Sequence, residues 1–299
     1  MREVSAISLA DIAGPSRGTL VRRRAFGHMG LVIGTTLLTL IVLVAILAPI
    51  LAPYDPYAQD LGRRLIPPVW YGKGTWAHVL GTDNLGRDYF SRVIYGARIS
   101  LLIGLSVMFI SGLIGTVLGL VAGYFGGRID LVVTFLVTVR LAMPLILVAL
   151  AVVAAIGGSL TVVILVLGLL KWDRFAVVMR AATQQVRSLE YVSAAECMGA
   201  SPIRIIFGEV LPNIMPQLVV VATVEAASAI LLEAALSFLG LGVQPPLPSW
   251  GLMIAEAKAY LFFSFWLIAI PGTALAILVL AINMVGDGIR DVSAPGGRA

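Results

Sequence analysis

Residues 181–213 read AATQQVRSLEYVSAAECMGASPIRIIFGEVLPN, which is too polar to cross a membrane and too regular to be a slack loop. Residues 184–198 favour a helix, and Gly199 is placed where a helix would end. Ser201 and Pro202 then favour a restart, as an N-cap and a first-turn proline whose missing N–H costs nothing there. The pattern predicts two short helices joined at a glycine elbow that projects into the cytoplasm; we call residues 184–212 the elbow.

The far end of the elbow is predicted at Leu211-Pro212-Asn213, where proline should break the helix again before the next apolar segment. Ala194 and Ala195 give one elbow helix a small-residue face on which another backbone can lie closely. An ordinary loop between helices is the alternative interpretation. The repeated breaks and restarts favour a docking element.

Apolar segments flank this stretch on both sides, and a segment of about 20 such residues can span a bilayer. Five of them are long: 29–52, 99–127, 131–156, 210–241 and 259–286. The sixth, from Ser159 to about Met179, is interrupted by the polar run 171–174, whose long charged side chains are expected to reach the inner membrane surface. The segment 29–52 exceeds the length of a signal-peptide core, so it is predicted to be a retained helix.

The amino-acid composition also indicates a chain that is largely surrounded by lipid. Of the 299 residues, 59% are hydrophobic and 12% charged, whereas soluble domains have about 45–50% and about 25%. The net charge of +5 comes with arginines that flank apolar runs, which indicates membrane topology rather than nucleic-acid binding. One cysteine excludes an internal disulfide, and two histidines exclude a structural Cys/His zinc cluster. The predicted fold class is an all-α integral membrane protein with six transmembrane helices.

Lysine and arginine positions predict the orientation. With both termini inside, the inner segments carry 13 of these residues and the outer segments seven, which fits the positive-inside rule. The counts therefore predict a multi-pass membrane protein with both termini cytoplasmic.

Three ionisable residues fall within predicted spans: Arg140, Glu225 and Glu233. Each costs about 2.5–3.5 kcal/mol near the bilayer centre, so a function is the default hypothesis. Glu233 lies near the outer end of its segment, which favours a structural role. Arg140 and Glu225 are predicted at similar depths, about 15 and about 18 Å from the inner ends of their helices. They are expected to pair; alternatively, Arg140 faces the pathway as a counter-charge for a substrate carboxylate.

The elbow resembles the ATPase-coupling loop of binding-protein-dependent importers of the ATP-binding-cassette class. That family pattern is Glu-Ala-Ala, three residues, Gly, nine residues, then Ile-x-Leu-Pro. Here Ala194, Ala195 and Gly199 stand in register, as does Leu211-Pro212, while Ser193 replaces the usual Glu and Glu209 the usual Ile. The resemblance implies that the elbow contacts an ATPase through the following residues: Glu190, Ser193, Ala194, Ala195, Gly199, Ser201, Pro202, Arg204, Leu211 and Pro212.

Three further segments are similar to the dipeptide/oligopeptide branch of this family. They are His78–Asp88 (HVLGTDNLGRD), 233–251 (EAALSFLGLGVQPPLPSWG) and 283–291 (NMVGDGIRD). The resemblance implies a permease for peptide uptake, in the inner (plasma) membrane of a bacterium, with a five-helix core preceded by one extra span. The implied division is a cytoplasmic arm 1–28, a first span 29–52, an outer loop 53–96, the core 97–287 and a cytoplasmic tail 288–299.

The implied partners are a second permease subunit, two cytoplasmic ATPase subunits, an outer solute-binding protein and membrane lipid. Nickel, glutathione and opine-like solutes are the alternative substrates. A proton-coupled secondary transporter is the alternative of another class, but it would need no ATPase docking site. No P-loop occurs in the sequence, so ATP hydrolysis is expected on other chains, and no cofactor is predicted. His78, Asp83 and Asp88 could suggest a metal site, although a loop-stabilising role is favoured.

Overall fold

The computed structural model describes residues 25–293, and nearly all of its regular structure is helical. The predicted arm and tail thus lie partly outside the described residues, at 1–24 and 294–299. The α-helices are α1 (Met29–Ile46), α2 (Ala48–Leu51), α3 (Tyr89–Phe125), α4 (Gly127–Ala142), α5 (Leu145–Ile156), α6 (Leu160–Leu170), α7 (Asp173–Arg187), α8 (Glu190–Cys197), α9 (Pro202–Ile205), α10 (Leu211–Phe238), α11 (Trp250–Glu256) and α12 (Trp266–Ser293).

Four stretches of this helical structure are long and apolar enough to cross a membrane: Met29–Ile46, Tyr89–Phe125, Pro202–Phe238 and Trp266–Val292. A fifth span is formed if α4 and α5 count together, although they meet at an angle of 82°. The bend has a local cause, because Met143 precedes Pro144 and adopts the extended backbone that a following proline imposes (φ −95°, ψ 127°). The all-helical, multi-span fold predicted from the sequence is confirmed.

The weak sixth segment, 159–179, is not the continuous helix that was expected. Helix α6 ends at Leu170, the chain turns through Lys171 and Trp172, and α7 then runs from Asp173 to Arg187. The helix predicted over 184–198 is likewise divided, because Leu189 is extended (φ −81°, ψ 145°) between α7 and α8.

The predicted break at Leu211-Pro212-Asn213 is wrong. A five-residue π-helical turn, Ile206–Val210, leads from α9 into α10 without interruption, and the Leu211 N–H donates to the Ile206 carbonyl oxygen. The wider turn accommodates the backbone ahead of Pro212, which has no N–H to donate. The elbow therefore continues into α10 without a break in the helix.

Helices α3 and α7 pack with their backbones almost in contact. Three glycines four residues apart on α3, namely Gly115, Gly119 and Gly123, face α7. A Cβ atom added at Gly119 would lie 2.7 Å from the Ala176 carbonyl oxygen and 2.8 Å from the Met179 Cβ. Small residues at this spacing are the usual device for close helix approach in membranes.

The first span is held against the last. An added Cβ at Gly34 would meet the Met284 Cβ at 2.7 Å, so α1 packs closely on α12. His28 caps α1, because its Nδ1 accepts the Leu31 N–H at 3.1 Å. Its Nε2 then carries the proton and donates to Asp291 Oδ2 at 3.1 Å. The start of α1 and the end of α12 therefore lie side by side.

Candidate functional site

The middle of the elbow is a tight turn between α8 and α9. Gly199 has a positive φ of +78°, a conformation that glycine adopts without strain. Ser201 caps α9 by accepting the Arg204 N–H at 3.4 Å, and Pro202 occupies its first turn. The break at glycine and the restart at Ser-Pro thus have the local geometry that their sequence favours.

The inner face of the elbow is part of a hydrophobic core. Val192, Ile205 and Val210 are buried and pack with Leu120 of α3 and Met179 of α7. Two polar contacts add to this packing. Tyr124 Oη donates to Glu196 Oε1 at 3.2 Å, and Asn213 Nδ2 donates to Tyr191 Oη at 3.0 Å. The elbow is consequently fixed to α3, α7 and α10 as one rigid piece.

The outer face of the elbow is exposed and partly apolar. Met198, Ile203 and Phe207 are 82%, 70% and 65% exposed, respectively. Of the residues predicted for this site, Ala195 is buried, Leu211 is half-buried, and the others are exposed: Glu190, Ser193, Ala194, Gly199, Ser201, Pro202, Arg204 and Pro212. Met198, Ile203 and Phe207 were not predicted as site residues, although apolar residues within a polar stretch could have indicated a contact surface.

The predicted pair of Arg140 and Glu225 does not form. The Arg140 side chain is buried, and its Nε donates to the Leu170 carbonyl oxygen at 2.6 Å while Nη1 donates to Met143 at 3.4 Å. Arginine near a helix C-terminus satisfies carbonyl groups that have no partner inside the helix. Arg140 thus stabilises the ends of α4 and α6, and the structure gives no support to its facing a substrate.

Glu225 is paired instead with cations at the α6–α7 turn. Lys171 Nζ lies 2.6 Å from Glu225 Oε2 and also donates to Ser228 Oγ at 2.9 Å. Arg174 Nε lies 3.5 Å from Glu225 Oε1. Lys171 is buried in the protein, so the expectation that it would reach the inner membrane surface is wrong. The sequence concealed this contact because the helix break at Lys171 was not foreseen.

Glu233 has a structural position, as its place in the sequence suggested. It is fully buried, and its Oε1 accepts from Ser237 Oγ at 2.7 Å and from Ser249 Oγ at 3.0 Å. Ser249 also caps α11 by accepting the Leu252 N–H at 3.1 Å. Glu233 therefore joins the end of α10 to the start of α11.

A second charged cluster, which we call the outer network, joins the loop after α2 to α11. It consists of Asp83, Arg87, Arg92 and Glu256. Arg87 Nε lies 2.6 Å from Asp83 Oδ2, and Glu256 Oε2 accepts from Arg87 Nη2 at 3.1 Å and Arg92 Nη2 at 2.9 Å. This network was not predicted from the sequence, because a contact across 164 residues, as between Arg92 and Glu256, leaves no local signal.

The three residues considered as metal ligands serve this region instead. His78 Nδ1 lies 2.9 Å from Asp88 Oδ1, and Asp88 caps α3 by accepting the Ser91 N–H at 2.8 Å. Asp83 is occupied by Arg87. Among residues 25–293, no group of three or more His, Cys, Asp or Glu side chains is arranged to hold a metal ion.

Comparison with protein families gives two matches that together cover most of the chain. Residues 115–298 match the family described as "binding-protein-dependent transport system inner membrane component". Residues 16–68 match the family described as "N-terminal TM domain of oligopeptide transport permease C". The second match ends in the loop between α2 and α3, and the first begins within α3.

Individual relatives agree with these matches. The di/tripeptide transport system permease protein DppC of Pseudomonas aeruginosa is 43% identical over 91% of this chain and 90% of its own length. The dipeptide permease DppC of Haemophilus influenzae is 39% identical, over 90% and 91%. The probable D,D-dipeptide permease DdpC of Escherichia coli is 38% identical, over 88% and 87%. A chain in a solved structure of the MetNI methionine ABC transporter, in inward-facing conformations, has a TM-score of 0.57 at 20% identity and covers 69% of this chain and 98% of its own.

Proposed function

This chain belongs to the binding-protein-dependent transport system inner membrane components, and from that membership we propose that its elbow is the surface on which an ATPase acts to drive peptide uptake. The chain is a permease subunit of a dipeptide/oligopeptide importer of the ATP-binding-cassette class, and it lies in the inner membrane. A permease of this kind is not itself catalytic, and it works with an ATPase and a substrate-binding protein. Relatives named for di- and tripeptides favour peptides over nickel, glutathione or opines.

One observation carries the docking proposal: an exposed apolar face on a rigid support. Met198, Ile203 and Phe207 are exposed, yet the residues beneath them are packed against α3 and α7. A large exposed apolar surface on an ordered element is typical of a protein–protein contact. Several of the elbow residues that match the family pattern, among them Ala194 and Gly199, are exposed as well.

The connection to α10 supports a mechanism for coupling. Because α9, the π-helical turn and α10 are continuous, a displacement of the elbow would be passed along α10 to Glu225. By helix rise, Glu225 lies about 18 Å from Asn213, near the middle of a bilayer about 30 Å thick. Closure of the ATPases would thereby alter the middle of the pathway and switch it between inward- and outward-open states.

The assembly and orientation complete the proposal. Two ATPases would each engage one elbow, so a second permease subunit would supply the other elbow and the other half of the pore. Both termini and the elbow would be cytoplasmic, which agrees with the basic residues of the inner segments and with the contact between His28 and Asp291. Because Glu225 is held in an ion pair with Lys171, the structure offers no free carboxylate there for proton coupling.

Phe207→Asp is expected to uncouple the permease from its ATPase. A carboxylate at the centre of an apolar contact would have to be desolvated, so recovery of the ATPase with affinity-purified permease should fall by roughly tenfold or more. The matched control is Phe262→Asp, since Phe262 is 91% exposed on the segment between α11 and α12, away from the elbow. Equal recovery of the ATPase with both variants would contradict docking at the elbow.

Labelling of Cys197 tests the orientation. Cys197 is the single cysteine and is exposed on α8. A membrane-impermeant maleimide should leave it unlabelled in intact spheroplasts and label it in inside-out vesicles from cells that lack the ATPase. Added ATPase should then slow labelling in the vesicles. Labelling of intact spheroplasts would place the elbow outside and remove the docking proposal with it.

A further inference from the structure

A cavity of about 310 Å³ opens between α4, α7 and α10, beside the Lys171–Glu225 ion pair. Its volume is within the range of small-molecule sites. The walls are almost entirely aliphatic, and the two charged side chains among them are Arg174 and Glu225. The aliphatic lining residues are Leu141, Val177, Val178, Val220, Val221 and Val224.

The polar atoms at the cavity are incompletely satisfied. Glu225 is 1% exposed, and its Oε1 has no hydrogen-bond donor among the described residues. Arg174 Nε is 3.5 Å from this oxygen, which is an ion-pair distance but too long for a good hydrogen bond. The Arg174 side chain is 66% exposed and makes no hydrogen bond within residues 25–293. A guanidinium with free N–H groups therefore stands next to a buried acceptor that has no donor.

The local charge favours an anion. Lys171 and Arg174 are two cations against the single carboxylate of Glu225. Near them, the buried cation Arg140 and the buried Asp173 at the start of α7 offset each other. One positive charge is thus in excess, and it lies on the exposed Arg174. A planar guanidinium fits a carboxylate with two parallel hydrogen bonds.

We propose that this cavity is a subsite of the transport pathway that receives the free C-terminal carboxylate of the peptide. Arg174 binds the carboxylate, Glu225 Oε1 accepts an N–H of the same peptide, and Lys171 holds Glu225 in place. The inference rests on the proposed peptide-uptake function and adds the chemical group that is recognised in the membrane. Because Glu225 is on α10, movement of the elbow would alter the subsite directly.

The charge of the subsite can be measured with a cysteine probe. In a Cys197→Ser background, Val224→Cys places a thiol on the cavity wall. An anionic methanethiosulfonate reagent should modify it faster than a cationic reagent of similar size. Arg174→Gln should lower that rate ratio by about tenfold, whereas Arg174→Lys, which keeps the charge, should preserve it. A ratio that Arg174→Gln leaves unchanged, or a thiol that neither reagent reaches, would overturn the proposal.

The same thiol distinguishes the carboxylate from other features of a peptide. In membranes that contain the assembled importer, free glycyl-leucine should slow modification several-fold, and its C-terminal amide should not. Arg174→Gln should abolish the protection. Equal protection by acid and amide would overturn the carboxylate assignment. If Arg174→Gln takes up peptide normally and leaves the rate ratio unchanged, the subsite alone is rejected. If the wild-type complex does not take up peptide at all, the proposed function is rejected.

The native Cys197 provides the control site. It lies on the elbow, where Arg174→Gln should not alter the ratio of anionic to cationic modification. A parallel change at Cys197 would mean that the substitution acts on the whole protein, and the subsite would be rejected. Arg128→Gln is the matched control variant, because Arg128 is an exposed arginine at the start of α4 and does not line the cavity.

Discussion

Glu256→Ala is expected to destabilise the permease by about 3–5 kcal/mol, because the buried guanidinium groups of Arg87 and Arg92 would then share a single carboxylate, that of Asp83. Arg92 is fully buried, and its Nε and Nη1 already lack hydrogen-bond partners among the described residues. Within residues 25–293 its one hydrogen bond runs from Nη2 to Glu256, and its Nε also lies 3.4 Å from Asp83 Oδ2. The thermal denaturation midpoint of the purified permease should fall by roughly 10 °C.

Two further variants separate the loss of charge balance from the loss of a side chain. Adding Arg92→Met to Glu256→Ala removes the excess cation and leaves the Asp83–Arg87 pair intact, so much of the lost denaturation midpoint should return. Arg63→Ala breaks an exposed pair with Asp60 and should cost about 0–1 kcal/mol. If the double variant is less stable than Glu256→Ala alone, the outer network is not stabilised by charge balance.

Gly119→Val is expected to prevent assembly of the helical core. Its Cβ alone would lie 2.7 Å from the carbonyl oxygen of Ala176, and the two γ-carbons would add further clashes. A backbone oxygen cannot move aside as a flexible side chain can, so α3 and α7 must separate. Overpacking typically costs about 1–3 kcal/mol and occasionally more, and we place this case at the upper end. The yield of monodisperse permease after size-exclusion chromatography is the measurement.

The matched substitution is Gly272→Val in α12, where an added Cβ meets nothing within 4 Å. It should give a yield close to that of the wild type. Gly119→Ala should fall between the wild type and Gly119→Val, because it adds the clashing Cβ without the γ-carbons. If Gly119→Val and Gly272→Val assemble equally well, the close approach of α3 and α7 is not required.

The sequence predicted the features that depend on short stretches of chain. Long apolar runs predicted most of the spans, and glycine followed by Ser-Pro predicted the turn of the elbow because backbone preference and capping are local properties. The glycines at 115, 119 and 123 stand four residues apart, but close helix packing there was not predicted from the sequence. Their partner on α7 could not be identified, because spacing on one helix does not specify which helix packs against it.

The wrong predictions share a physical cause: neighbouring structure satisfied a proline or a charge in a way that the local sequence did not show. Pro212 breaks a regular α-helix, but the preceding π-helical turn accommodates it. Arg140 and Glu225 carry opposite charges at similar predicted depths, but depth leaves the rotation of each helix undetermined. Backbone carbonyls at the break after Ala142 and at Leu170 satisfied Arg140, while Lys171 satisfied Glu225. The partners of both side chains depend on where neighbouring helices end and how they are rotated, which the pattern of one segment does not show.

The outer network also constrains the order in which the protein can be made. Arg92 leaves the ribosome 164 residues before Glu256, an interval of roughly 10–30 s at ordinary elongation rates. During that time Arg87 and Arg92 have only Asp83 to share, and Arg92 has not yet met the carboxylate that accepts its hydrogen bond. We therefore expect the segment around Arg92 to stay hydrated, or to be held by the insertion machinery, until α11 has been made. Burial of this arginine is accordingly expected to be a late step in the folding of the chain.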